Sequence, residues 1–130
     1  MARKQSELTQ QKNVAARVLP NMEANLDFLD MGEWASGEVG PDDDPAACGT
    51  ALCAAGWTAH ELGWTVYADG SAHHPTQGWD EVFGVAMDAL CLSNREAGLL
   101  FYSSPKTAIR VFREMAAGNE ISEEMIRRAD

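Results

Sequence analysis

A chain of 130 residues, 45% of them hydrophobic, has the length for one domain with its own core and is excluded from general disorder. Twenty acidic against ten basic side chains leave a formal charge of −10, which repels phosphate backbones and sets direct binding of DNA or RNA aside. No run of about 18 apolar residues is available to span a membrane, and the basic start "MARKQSELTQQKN" leads into no apolar signal segment.

Residues 1–6 read as a frayed end. From Leu8 a helical pattern begins, in which Val14, Val18, Met22 and Leu26 recur every four residues with Leu19 and Leu29 beside them. Pro20 interrupts this face, which predicts either a kink or two short helices, the second opening at Pro20. Met31-Gly32 closes the pattern. Residues 35–47, "ASGEVGPDDDPAA", form an acidic loop of glycines, prolines and carboxylates without periodicity. Asp42, Asp43 and Asp44 are consecutive, whereas a calcium loop spaces its ligands at alternate positions and closes with a glutamate. They are therefore read as a solvated turn.

Residues 50–62 predict a second helix, capped by Thr50 and ended by Gly63. Residues 64–79, "WTVYADGSAHHPTQGW", change character. Trp64, Val66 and Tyr67 favour extended backbone and Asp69-Gly70 favours a turn, giving a short hairpin near 64–76 or an irregular loop. From Asp80 the helical pattern returns through Val82, Phe83, Ala86, Met87 and Leu90. Ser93 and Glu96 form a capping box, with Leu92 stapling against Ala97. Ser104 caps a further helix with Pro105 in its first turn and Ala108, Val111, Phe112 and Met115 on its core face. Gly118 ends it, and a last short helix from about Ser122 carries Met125 and Ile126. The predicted fold class is mainly α, a compact single-domain bundle of five or six helices.

Three stretches resemble a family of short, uncharacterised proteins of bacteria and their phages, notably actinobacteriophages. They are "LDFLDMGEW" (26–34), "CGTALCAAGW" (48–57) and "LCLSNREAGLLFY" (90–102). The likeness spans about residues 20–118 and is most specific at the cysteine segment. This chain departs from it in a longer acidic loop and in Ala54, where relatives often carry a bulkier aliphatic residue. The resemblance implies a phage or prophage accessory protein; it implies no activity.

The cysteine segment supports three readings. In the first, a thiol enzyme uses Cys48 near a helix N-terminus as nucleophile, with His73 or His74 as base and Asp69 or Asp80 to orient it. That chemistry ordinarily needs a strand platform, of which the sequence shows little. In the second, Cys48, Cys53, His73 and His74 hold zinc, with His60 as a substitute ligand. The C-x4-C spacing is loose for zinc, and adjacent histidines point apart in an extended chain. In the third, the segment is packing. Cys53, Gly56 and Ala59 present a small-residue face that lets another helix approach, while Leu52, Ala55, Ala59 and Leu62 make a second apolar face.

The third reading is favoured, with no cofactor or metal implied. Without an export signal, reduced thiols in the cytoplasm of a host cell are expected. The acidic residues Glu33, Glu38, Asp42, Asp43 and Asp44, beside an exposed Trp34, are the candidate surface for a host or phage protein with a basic face. Ordinary solvation explains the same carboxylates.

Overall fold

The computed structural model describes residues 3–128. The first apolar face is carried by a single helix, α1 (Gln5–Ala24), and Pro20 lies inside it without dividing it in two. Pro20 is exposed, while Val18, Leu19 and Met22 around it are buried. An internal proline costs about 3 kcal/mol. Burial of three such side chains, at about 1.5–3 kcal/mol each, outweighs it. The expected fraying does not extend to residue 3. The Arg3 guanidinium lies between Glu96 and Glu120 and donates through Nε to the Cys91 carbonyl at 2.7 Å. Residues 1 and 2 of that expectation lie outside the described residues.

α1 stops at Ala24, and a single 3-10 turn over Leu26–Phe28 follows. Leu26 is consequently 58% exposed, and Met31-Gly32 falls in a later turn rather than at the helix end. Residues 29–53 contain no helix but are pinned by β-bridges of Leu52 with Leu29 and with Ala35, and of Val39 with Val66. The acidic loop thus hangs from two buried apolar residues, Ala35 and Val39.

The second helix, α2 (Ala54–Glu61), begins later than the sequence predicts, and its cap is Cys53 instead of Thr50. The reason is tertiary. The Leu52 N–H donates to the Phe28 carbonyl at 2.9 Å and the Asp30 N–H donates to the Leu52 carbonyl at 3.0 Å. That pairing holds the backbone before Cys53 extended. Gly63 follows the helix as expected, its N–H donating to the His60 carbonyl at 3.1 Å.

The expected hairpin is a three-stranded antiparallel sheet of β1 (Thr65–Val66), β2 (Ser71–His74) and β3 (Gly78–Glu81), in that order. Val66 pairs with Ala72 and Ala72 with Asp80; on the other face Thr65 pairs with His73 and His73 with Trp79. Val66 and Ala72 are fully buried, so this side of the sheet faces the core. Because β3 runs to Glu81, the third helix, α3 (Val82–Ala89), starts after Asp80.

Three further helices close the chain: α4 (Asn94–Phe101), α5 (Pro105–Ala116) and α6 (Glu123–Arg127). The caps of α4 and α5 are those predicted, and α6 begins where expected, capped by Ser122. Ser93, Ser104 and Ser122 accept from the amides of Glu96, Thr107 and Met125 at 3.1, 3.1 and 3.2 Å. α1 packs along α5 and against α2, around Val18, Met22, Trp57, Leu100, Phe112 and Met115. The fold is therefore a mainly α-helical bundle with a small antiparallel sheet. Among the described residues no helix is long and apolar enough to cross a membrane.

Candidate functional site

The cysteine segment is a junction. Cys48 is exposed in a run of turns, its N–H donating to the Asp44 carbonyl at 3.0 Å. It lies outside α2, so the helix amides that would activate a thiolate are not presented to it. Cys53 occupies that place instead. Its Sγ accepts from the Gly56 N–H at 3.3 Å, and its thiol donates toward the Trp34 carbonyl at 3.9 Å. Met31 Sδ accepts from the Ala54 N–H at 3.4 Å. Two sulfur atoms thus satisfy two of the free amides of this helix end.

Cys53 is 2% exposed, and burial pushes its thiol up to about 11 against the opposing pull of the Gly56 and Ala55 amides. At neutral pH only about one molecule in ten thousand carries the thiolate, so this sulfur is a cap and not a nucleophile. α2 packs closely on α3 and α1, but at Gly56 its small-residue face receives a loop. A Cβ added at Gly56 would lie 2.5 Å from the Trp34 carbonyl oxygen. The segment therefore ties "DMGEW" to α2, and the Trp57 indole completes the tie by donating to the Phe28 carbonyl at 3.1 Å.

The histidines are engaged elsewhere. His74 Nδ1 accepts from the Thr76 and Gln77 amides at 3.2 and 3.3 Å, and its ring lies 5.1 Å from that of Trp64. His73, on the opposite face of β2, packs against Trp79 with ring centroids 4.8 Å apart. His60 Nε2 lies 2.8 Å from the Asp43 carbonyl, which can only accept, so Nε2 carries the proton. Asp69 accepts from Ser71, and Asp80 Oδ1 from the Glu81 amide. Among the described residues no hydrogen bond links a histidine to a thiol. No group of three His, Cys, Asp or Glu side chains among them is placed to hold a metal ion. Cys48, Cys53, His73 and His74 are not brought together.

The candidate partner surface is redistributed. Glu33, Glu38, Asp42, Asp43 and Asp44 are all exposed. Asp43 and Asp44 also shape their own loop, accepting from the Gly40 and Ala46 amides at 2.9 and 3.1 Å. Trp34 is half-buried, its ring edge-on to Phe83 and Tyr102 with centroids 6.3 and 6.0 Å away. The tryptophan that does face solvent is Trp79, 67% exposed, on the outer face of the sheet. Its indole rests on His73 and Tyr67, the latter 5.4 Å between centroids. Glu81, exposed and two residues along β3, shares that face, and the exposed Asp69 accepts from Ser71 opposite it.

No family model, curated protein or solved structure matches this chain.

The exposure of Trp79 was not read from the sequence. Its signal is the alternation of "GWDE", which sets Trp79 opposite His73 once β2 and β3 pair in register. The arrangement as a whole can hold a cation. The Trp79 indole is open to solvent, and Glu81 lies on the same sheet face.

Proposed function

We propose that this chain is a phage or prophage accessory protein that works in the host cytoplasm by binding a host or phage protein with a basic surface. The bound protein is a host enzyme or a component of a defence system, whose action the binding blocks. The resemblance of the three motif stretches supports the origin. The single observation that carries the binding role is Trp79, a large aromatic left 67% exposed on the sheet face it shares with Glu81, with Asp69 bonded to Ser71 opposite. Tryptophan is prominent among residues that dominate binding energy, and carboxylates around it select a basic partner and steer its approach. The −10 charge acts in the same direction.

Affinity capture from the host, with the intact chain and with Trp79→Ala, tests this. The expected result is one stoichiometric partner of basic surface, released by salt and lost with Trp79→Ala. Recovery of no stoichiometric partner, or equal recovery with the variant, overturns it.

A further inference from the structure

We infer that a hollow beside Trp34 seats one arginine side chain of that partner, an inference that rests on the acidic, aromatic face being the binding surface. The hollow holds about 370 Å³ and is lined by Trp34, Asp69, Gly70, Ser71, Glu81 and Phe83. Two of its walls are aromatic. The rings of Trp34 and Phe83 meet edge to face, with planes at 87°. Two others are carboxylates on exposed residues, Asp69 and Glu81.

The sheet assembles this set. Ser71 stands opposite Glu81 across β2 and β3, and its N–H and hydroxyl donate to Asp69 Oδ1 at 2.9 and 2.6 Å. Those two hydrogen bonds hold the Asp69 carboxyl below its ordinary range, so it is ionised at neutral pH. Gly70 fixes the indole. It has φ +90°, and a Cβ there would come within 2.9 Å of the Trp34 ring. Only glycine takes that turn and lets the ring lie against it.

A planar guanidinium suits these walls. It stacks on an aromatic face and donates N–H groups to carboxylates at its edge, whereas an ammonium offers a point charge without a plane. An anion is repelled, and an apolar side chain would desolvate two carboxylates without return.

The probe is N-acetyl-arginine amide, titrated at low salt into the full chain labelled with nitrogen-15. The readout is the four indole N–H signals and the Ser71 amide. A saturable shift at Trp34 and Ser71 is expected, weakened about threefold or more by Glu81→Gln and unchanged by Trp79→Ala. N-acetyl-lysine amide is expected to bind less tightly. No saturable shift at Trp34, an equal response in Glu81→Gln, or lysine matching arginine overturns the inference. Partner capture that needs Trp79 but not Glu81 overturns the arginine seat and leaves the binding surface standing. Arginine binding at Trp34 with no captured partner supports the seat and overturns the wider reading.

Discussion

At the start of α2, sulfur does what a hydroxyl oxygen does at α4, α5 and α6. Cys53 accepts an amide there, so Cys53→Ala removes a cap and is expected to cost about 1 kcal/mol in urea unfolding. The same residue adds a pH dependence. Its ordinary value is 9.0 and its folded value about 11, so below pH 9 both states hold the proton and the contribution is complete. Between 9 and 11 the unfolded chain releases its proton first, and stability falls by about 2–3 kcal/mol from this group. Cys91, raised mainly by its own burial, adds in the same sense. Stability measured at about pH 8 and about pH 10.5 should therefore drop less in Cys53→Ala than in the parent. Parallel drops would show that Cys53 does not carry the effect. Gly56→Ala, whose new Cβ meets the Trp34 carbonyl at 2.5 Å, should destabilise by about 1–3 kcal/mol.

Helix ends account for most of the agreement between sequence and structure, and for the main disagreement. Ser93 and Ser104 were legible as caps, and Ser122 as the start of a helix, because each bonds an amide three residues on, within one stretch of sequence. The α2 start was not legible, because its position depends on Leu52 pairing with Phe28 and Asp30 in a distant segment.

The end of α3 is of the second kind. Cys91 takes φ +52°, while Cys91 and Leu92 donate to the Asp88 and Met87 carbonyls at 3.2 and 3.0 Å, a turn that glycine usually makes. Gln10, Gln11 and Arg3 supply the remaining donors, Gln11 reaching the Leu90 carbonyl at 2.8 Å while 1% exposed. Cys91→Gly should stabilise the chain by about 0.5–1 kcal/mol, since it relieves a left-handed non-glycine residue. Gln11→Leu should cost about 1–3 kcal/mol by leaving a buried carbonyl without its donor. Thermal melts of the two variants should shift in opposite directions.

For the molecule as a whole, charge and exposed aromatics act on different observables. A net charge of −10 repels itself, so added salt should raise the melting temperature while it weakens association with a basic partner. Trp79→Ala separates the same two quantities. The residue is 67% exposed and gives up only its ring contacts with His73 and Tyr67, so its loss should cost no more than about 1 kcal/mol. Partner binding, by contrast, should be lost. A large drop in stability with Trp79→Ala would make the ring a packing element and remove the argument for a binding face.

The sequence by itself determined the mainly helical class, the caps of α4 and α5, the core faces of the last helices, the Asp69-Gly70 turn and the exposure of the acidic loop's carboxylates. Each of these depends on residues a few positions apart, where periodicity and capping chemistry act. Only the tertiary structure decided that Cys53 rather than Cys48 stands at the α2 start. It likewise decided that Trp34 is half-buried while Trp79 faces water. The gathering of Trp34, Asp69, Glu81 and Phe83 around one hollow is also tertiary. These four come from the loop after α1, the β1–β2 turn, the end of β3 and the start of α3. Only strand register and the close approach of the Trp34 ring to Gly70 bring them together, and neither is written in any local stretch of the chain.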